Sequence, residues 1–437
     1  MDAPISRSRE PNHTTAAQLE PPRLRRPDRM QTFLEPVNLD ERLPADHRAR
    51  MVWAVVSKLD LEKFSAPLVN RGSAPGRAAT DPALLVALWL YATIDNVGSA
   101  RRLARLCTAH DAYRWLCGGV PVNHHTLSDF RVQHEAALDE LFTQLITALV
   151  SQDLVTVERL SQDGMRVRAS AGASSFRRRE SLERLQAAAR EHVAQVKSDL
   201  DDVDDDTLTR TQAARRRAAT EKLARIDRAL AVLPELEAIK KNSNGKPSKN
   251  SAARVSTTDV DARRMKMPGG AIQPAYNVQF AIDVHGRAIV GVEVVNTGSD
   301  AQQSQPMREQ VERRSGRKVK QHLFDGGFVN KDMITEAESS GVAIYAPLPK
   351  NRQGEPCRSG RNDSAGVAAW RDRMTTPEAA PIYHQRASTV ETVNGEVRTY
   401  RGLDAFLVRG LEKVRCVALW SAFAYNLVHF GAALMRT

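Results

Sequence analysis

The chain has 437 residues, of which 42% are hydrophobic and 26% are charged, and its formal net charge is +11. This composition excludes a wholly disordered, collagenous or disulfide-stapled protein, and the length allows two or three domains. The excess of Lys and Arg favours a polyanionic partner, nucleic acid first and an anionic membrane surface second. The four cysteines show no metal-ligand spacing, so we expect reduced thiols in a cytosolic protein.

The N-terminal third predicts a tail followed by an all-α unit. Residues 1–30 are rich in Pro and Arg and predict a flexible tail. Residues 31–150 predict helices over Pro82–Ile94, over Ser99–Cys107 with Ser99 as the cap, and from Asn123 towards Leu149. A helix, a Gly-rich turn and a helix with a polar start are typical of a helix-turn-helix-like DNA-binding domain. A plain helical bundle with a solvated basic face remains the alternative.

The predicted DNA-contacting residues of this unit are arginines. The helix that Ser99 starts has its arginines on one side and Leu103 and Leu106 towards another. The full set is Arg101, Arg102, Arg105 and Arg131. The neighbouring His124 and His125 are expected to face DNA or solvent, because no third metal ligand accompanies them.

Residues 177–255 predict an inserted helical hairpin and a linker. Apolar residues recur every three or four positions from Leu182 to Val203, and again from Leu223 to Leu233. Six aspartates between positions 199 and 206 separate the two segments and predict a solvated acidic turn. Residues 242–256 are rich in Lys, Ser, Asn and Gly and predict a mobile linker.

The remaining segments, residues 151–176 and 256–437, predict an α/β unit with a mixed sheet covered by helices. A helix is expected over Lys331–Ser340, and mainly helices after Pro377. The predicted strands are Leu160–Val167, Ala275–Asp283, Arg287–Val295, Lys318–Phe324 and Val342–Leu348. Residues 416–435 carry no charge and could span a bilayer, but interrupting polar residues favour a helix buried in the core.

Two acids follow predicted strands and precede glycines. Asp163 stands before Gly164, and Asp325 stands before two glycines. Ligand sites in open sheets gather at strand carboxyl ends, and a third acid would complete a cage for two Mg²⁺ ions acting on a phosphodiester. Asp-Gly is also an ordinary turn dipeptide, so the residues alone leave both interpretations open.

Four short motifs resemble the core of a bacterial insertion-sequence DDE transposase. They are 163–167 (DGMRV), 257–259 (TTD), 276–279 (YNVQ) and 324–328 (FDGGF). A C-terminal set resembles the Tyr-Arg-Glu-Lys pattern of one branch of that family, with arginine in the place of lysine: Tyr383, Arg386, Glu391 and Arg398. Residues 99–131 resemble the family's N-terminal DNA-binding domain.

The resemblance implies an RNase H-like catalytic core that the helical hairpin interrupts. It implies that Asp163, Asp325 and Glu391 are the catalytic residues and bind two Mg²⁺ ions, with Mn²⁺ as a substitute. Tyr383, Arg386 and Arg398 would contact DNA. The expected function is binding of the terminal inverted repeats, metal-dependent end cleavage and strand transfer into target DNA. The acting species would be a homodimer or a larger complex in the bacterial cytoplasm, associated with the nucleoid and with no membrane partner.

Several alternatives stay open beside this interpretation. Glu412 or Glu396 could be the third acid in another register. Asp283 is better explained by a hairpin turn, and Asp259 and Asp300 are expected to be structural. An inactive or domesticated relative would keep only sequence-specific DNA binding. An assembly protein would work mainly through the helical hairpin.

Overall fold

The computed structural model describes residues 30, 36, 38–67, 78–199, 209–243, 252–358, 360 and 362–436. The described N-terminal part is helical, as predicted. Its helices are α1 (Arg48–Val56), α2 (Glu62–Ser65), α3 (Pro82–Ile94), α4 (Ala100–Ala109), α5 (Asp111–Cys117), α6 (His124–Gln133) and α7 (Glu135–Ser151). The predicted flexible tail lies almost wholly outside the described residues.

Local capping chemistry explains where these helices begin. The side chain of Asp81 accepts a hydrogen bond from the Ala83 amide at 2.8 Å, and Asn123 accepts one from the Thr126 amide at 2.9 Å. The helix predicted from Asn123 towards Leu149 is wrong in its length, because the backbone leaves helical geometry at His134 (φ −118°, ψ 45°). Two helices, α6 and α7, therefore occupy that segment.

The central feature of the C-terminal part is a six-stranded mixed sheet, and this confirms the predicted mixed α/β architecture. The strands of the molecule are β1 (Arg159–Arg168), β2 (Phe176–Arg177), β3 (Val255–Ser256), β4 (Arg263–Lys266), β5 (Ile272–Asp283), β6 (Ile289–Val295), β7 (Gln321–Leu323) and β8 (Ala343–Tyr345). The sheet order is β6-β5-β1-β7-β8, with β4 also paired to β5. Strand β5 runs antiparallel to its three neighbours, whereas β1, β7 and β8 are parallel.

Further helices cover this sheet or project from it. They are α8 (Arg179–Ser198), α9 (Arg210–Ser243), α10 (Ser304–Ser315), α11 (Lys331–Ser339), α12 (Ala365–Met374), α13 (Ala379–Arg386), α14 (Thr392–Tyr400) and α15 (Leu411–Leu434). A π-helical segment, Ala387–Glu391, joins α13 to α14. One hydrophobic core runs through the N-terminal helices and the sheet, so the predicted boundary at residue 150 is not a break in packing.

The last helix, α15, forms the middle of that core. Among the described helices it is the one long and apolar enough to cross a membrane, and 72% of its most apolar window is buried. It packs against α3, α7 and β6. Its buried Asn426 accepts a hydrogen bond from the Ile289 amide and donates one to the Ile289 carbonyl, which ties the helix to the sheet. The predicted core helix is thus confirmed.

The predicted helical hairpin is present as α8 packed against α9. Its buried stripe includes Leu182 on α8 and Leu233 on α9. The acidic turn falls largely outside the described residues, as do residues 244–251 of the predicted linker. The mobile-linker prediction is wrong for the end of that segment, because Val255 is buried against Leu182 and pairs with Arg177 in a two-stranded sheet.

Candidate active site

Asp163 lies in the middle of β1, the central strand of the sheet. Its Cα is opposite Phe280 of β5, while the first residues of β1 pair with β7 on the other side. Its carboxylate accepts a hydrogen bond from the Gly164 amide at 2.9 Å, and its side chain is 21% exposed. Asp163 therefore lies partly exposed, directly after three buried residues of this strand.

Asp325 follows β7, the parallel neighbour of β1. Its carboxylate accepts a hydrogen bond from the Gly327 amide at 2.8 Å and so caps the short helix Gly326–Phe328. Phe328 is buried and anchors this turn in the core. Because β1 and β7 are adjacent and parallel, Asp325 and Asp163 are brought to neighbouring positions, and the charge of Asp325 contributes to raising the pKa of Asp163.

Glu391 ends the π-helical segment, and Arg386 immediately precedes that segment. One guanidinium nitrogen of Arg386 lies 2.9 Å from Glu391 Oε1, and the other lies 3.2 Å from Asp163 Oδ2. The Arg386 side chain is only 12% exposed. The guanidinium thus bridges the first and the third of the predicted acids.

Burial controls the protonation of Asp163. It raises the pKa of this carboxyl to about 6, with Arg386 opposing the rise and the charges of Asp325 and Asp300 adding to it. Burial likewise raises the pKa of the Tyr383 hydroxyl, and the charges that act on it include those of Asp325, Glu391 and Asp163. These charges couple five residues predicted for the catalytic core into one cluster. They are Asp163, Asp325, Tyr383, Arg386 and Glu391.

Asp300 lies against this cluster and was expected only to be structural. Its Oδ1 accepts hydrogen bonds from Asn277 at 2.7 Å and from Gln279 at 2.6 Å. A Cβ atom added at Gly164 would lie closer than 3.0 Å to the Asp300 carboxylate, so this glycine makes the close approach possible. The motif 276–279 supplies both amide donors. Nothing in the sequence of that motif predicts that Asp300 is their partner.

The competing acids have other partners. Glu396 pairs with Arg401 and His429. Asp283 is fully buried and accepts backbone hydrogen bonds from Val157 and Gly286, which confirms the hairpin-turn interpretation. Asp259 accepts a hydrogen bond from the buried Tyr276 hydroxyl at 2.7 Å, as expected for a structural acid.

Glu412 lies at the start of α15, on a different surface. It lines a cleft with residues of α7 and Arg415, and none of the five cluster residues lines that cleft. Glu412 therefore lies on a cleft that the Asp163 cluster does not line.

The acidic side chains of the cluster suit a divalent cation. The distances between its charged groups are those of an ion-pair network. Among the described residues, no three His, Cys, Asp or Glu side chains are close enough together to hold a metal ion. Carboxylate oxygens are the ligands that Mg²⁺ prefers. In this structure the Arg386 guanidinium supplies the positive charge between Asp163 and Glu391.

The predicted DNA-contacting arginines divide into exposed and buried residues. Arg101, Arg102 and Arg105 are exposed along α4, and partly buried Arg398 donates to the Arg166 carbonyl oxygen at 3.2 Å. The structure corrects the prediction that Arg131 contacts DNA. Arg131 is 9% exposed, donates to the Gly98 carbonyl oxygen and lies over a tryptophan ring, so its guanidinium is not on a groove-reading surface.

Comparison with protein families gives two matches along the chain. Residues 37–133 match a family described as "Transposase domain (DUF772)", and residues 252–427 match the "Transposase DDE domain". Together these matches cover more than half of the chain. The chain belongs to the insertion-sequence DDE transposases.

The second match places two of the predicted acids within the family domain. Asp325 and Glu391 lie inside residues 252–427, whereas Asp163 and the hairpin precede that range. No curated protein and no solved structure matches the chain. Assignment of this transposase to the Tyr-Arg-Glu-Lys branch remains a prediction.

Proposed function

We propose that this transposase binds the terminal inverted repeats of its insertion sequence, cleaves the DNA at the element ends and transfers the freed 3′ strand to target DNA. Its catalytic acids would be Asp163, Asp325 and Glu391. The observation that carries the proposal is the bridging of Asp163 and Glu391 by the Arg386 guanidinium, beside the strand that leads to Asp325. Asp163 is far from Arg386 and Glu391 in sequence, and the fold brings it beside them.

The architecture supports an RNase H-like catalytic core. Three strands, β6, β5 and β1, are antiparallel in succession, and β1, β7 and β8 continue the sheet in parallel. In this arrangement the first acid lies on the central strand and the second follows its parallel neighbour. We propose that the helical hairpin is an insertion into this core after β1.

Asp163, Asp325 and Glu391 would hold two Mg²⁺ ions, for which Mn²⁺ could substitute. When bound, such ions lower the pKa of an attacking water or hydroxyl and stabilise charge on the leaving oxygen. Asp163, which feels the charge of Asp325 and shares Arg386 with Glu391, would be the shared ligand. Its raised pKa reflects a carboxylate in surroundings that disfavour its negative charge, so a bound cation would favour its ionised form.

Arg386 and Tyr383 would hold the DNA at the cluster. The planar guanidinium can contact two phosphate oxygens at once, and its two terminal nitrogens contact the separate carboxylates of Asp163 and Glu391. The Tyr383 hydroxyl would donate a hydrogen bond to a phosphate, and burial raises its pKa further above the ordinary value. Both side chains would orient the scissile phosphate for attack.

The partner would be double-stranded DNA, first the element ends and then the target. Arg101, Arg102 and Arg105 on α4, together with Arg398 on α14, would contact its backbone. We propose a homodimer or larger complex that pairs two ends in the cytoplasm, with the α8–α9 hairpin as the interface. The intact acids support the active enzyme over the alternative of an inactive relative that only binds DNA.

A cleavage assay on DNA from the element end tests this proposal. The wild-type chain should nick the end with Mg²⁺ or Mn²⁺ and should stop when EDTA removes the metal. Asp163→Asn should bind the same DNA without nicking it. End binding by the wild type without nicking in either metal would favour the inactive alternative.

A further inference from the structure

A basic cavity lies between the N-terminal helices and the segment that follows Glu391. Its volume is about 690 Å³, and it is open to solvent. The N-terminal helices contribute Ser99, Arg102 and Arg131, whereas the C-terminal part contributes Arg398, Arg401 and Leu407. The cavity therefore joins the two segments that match separate transposase families.

The charge of the lining is strongly positive. Four arginines face one acid, Asp404, among the described residues that line the cavity. Asp404 forms an ion pair with Arg168 at the end of β1 and Arg401 forms one with Glu396, so three arginines of the lining have no carboxylate partner among the described residues. An anion with more than one oxygen acceptor is the ligand class that such a lining recognises.

Two of these arginines retain buried donors that have no protein acceptor. Arg131 and the side chain of Arg401 are both more than nine-tenths buried, and the Nε–H group of each has no hydrogen-bond partner among the described residues. Their terminal nitrogens are already held, by the Gly98 carbonyl oxygen for Arg131 and by Glu396 for Arg401. Both Nε atoms have almost no surface exposed to the open cavity, so these two arginines favour an anion there through their charge, while Arg102 and Arg398 line it as well.

The wall of the cavity also includes a glycine and the N-terminus of a helix. Gly402, in the lining, has φ +69°, a conformation that favours glycine, and a Cβ atom there would lie 2.5 Å from Asn96 Oδ1. Ser99 caps α4 at the same place, so the positive end of the α4 dipole also faces the cavity. The dipole of α4 and the guanidinium groups thus both favour a negatively charged ligand.

The position of the cavity relates it to the catalytic cluster. Arg398 donates to the carbonyl oxygen of Arg166, which is three residues after Asp163 on β1. Three strand residues span about 10 Å, which is close to the axial length of roughly three base pairs of DNA. A duplex with its scissile phosphate at Asp163 would cover the distance to the Arg398 contact in about three base pairs.

We propose that this cavity binds a backbone phosphate of the DNA end and thereby fixes the register of the DNA between the N-terminal helices and the catalytic cluster. The inference rests on the proposed function and adds to it a phosphate site that both segments share. The occupant is a phosphodiester of duplex DNA, which is the polyanion on which the adjoining cluster would act.

Leu407 offers a test that leaves the core intact. This residue lines the cavity mouth and is 65% exposed, so Leu407→Glu and the nearly isosteric Leu407→Gln should both fold. The negative charge of Leu407→Glu should weaken binding of a fluorescent element-end duplex about tenfold near 0.1 M salt, measured by anisotropy with EDTA present. Leu407→Gln should bind like the wild type.

A second pair of variants measures the phosphate contact itself. Arg102→Gln should reduce the slope of log affinity against log salt by about 1, as expected for one lost phosphate contact. Arg313→Gln, an exposed residue on α10 away from the cavity, should leave the slope unchanged. These two results together with weaker binding by Leu407→Glu support the proposal.

Three other outcomes would overturn it. If all four variants bind the duplex like the wild type, the cavity holds no DNA phosphate while the proposed function stands. If the wild type itself binds no element-end duplex, the proposed function fails as well. If DNA binding is unaltered but inorganic phosphate, at constant ionic strength, protects Leu407→Gln and not Leu407→Glu from thermal unfolding, the cavity binds free phosphate instead.

Discussion

Arg386 forms an ion pair with Glu391 although the two residues are five positions apart, with 2.9 Å between Nη1 and Oε1. In an α-helix, side chains three or four positions apart are neighbours. The intervening segment Ala387–Glu391 is π-helical, and π-helical pairing relates residues five positions apart. The wider turn therefore aligns the two side chains towards Asp163. Single π-turns are frequent at functional sites, in agreement with the role proposed for Glu391.

Gly164→Ala should disrupt the cluster through Asp300. The added methyl group would lie closer than 3.0 Å to Asp300, Gln279 and Asn277, so the carboxylate and its amide donors must shift. We expect a loss of about 1 to 3 kcal/mol in the free energy of unfolding, measured by urea denaturation, and a loss of DNA cleavage.

Gly395→Ala provides the matched control for stability. Gly395 lies inside α14, and no atom lies within 4 Å of the position that a Cβ would take. This substitution should raise the free energy of unfolding by about 0.5 to 1 kcal/mol, because alanine favours a helix over glycine. Equal destabilisation by both substitutions would contradict the role assigned to Gly164.

The stability of the metal-free protein should depend on pH through Asp163. Its pKa is about 6 in the folded protein against an ordinary value of 3.8. Between these values the folded state binds more protons than the unfolded state, so stability decreases as pH rises through this window and stays lower above it. Asp163→Asn should therefore raise the free energy of unfolding by up to about 3 kcal/mol above pH 6 and change it little below about pH 4.

Denaturation of the wild type and of Asp163→Asn in EDTA, once above pH 6 and once below about pH 4, measures this effect. Arg386 keeps Glu391 as a partner in the variant, so Asp163→Asn should fold normally. A stability difference that is the same at both pH values, or one that favours the wild type at high pH, would show that burial does not control this carboxyl.

Arg131 should contribute to stability, in contrast to the exposed arginines of α4. Its guanidinium centre lies 4.6 Å from the Trp89 ring centroid and its side chain donates to Gly98. Arg131→Gln should lower the free energy of unfolding by about 1 to 3 kcal/mol, whereas exposed Arg101→Gln should change it by less than about 0.5 kcal/mol. Thermal and urea unfolding of the two variants would check this difference. Similar losses in the free energy of unfolding for both variants would contradict the burial of Arg131.

Removal of the helical hairpin tests the proposed dimer. Arg177 pairs with Val255 across β2 and β3, so an Asn-Gly turn can replace residues 178–254 without moving the sheet. The shortened chain should keep its circular dichroism signature of a mixed fold. Light scattering with DNA bound should then give the mass of one chain per DNA end. An unaltered mass would exclude the hairpin as the interface.

Local signals predicted much of this fold. Ser99 was predicted as a helix cap from its neighbours, and its side chain does accept a hydrogen bond from the Arg102 amide; the strands predicted over Ala275–Asp283 and Arg287–Val295 lie close to β5 and β6. The C-terminal run was correctly assigned to the core because polar Asn426 and its neighbours find partners there.

Features that depend on distant partners were not predictable in the same way. Arg131 reads as a basic surface residue, and only the packing of α3 beneath it shows that it is buried. Val255 lies in a linker-like sequence but becomes ordered through a strand 78 positions earlier. Asp300 gains its position from amide groups on β5 and from a glycine on β1, a combination that no local spacing encodes.

The most direct test compares Glu391→Gln with Glu412→Gln in Mn²⁺-dependent cleavage and strand transfer on the element end. Both substitutions remove one carboxylate, but only Glu391 pairs with Arg386 beside Asp163, while Glu412 lies on the cleft beside α7. The account predicts that Glu391→Gln binds the end without cleaving it and that Glu412→Gln cleaves like the wild type. Cleavage by Glu391→Gln, with activity lost only in Glu412→Gln, would contradict it.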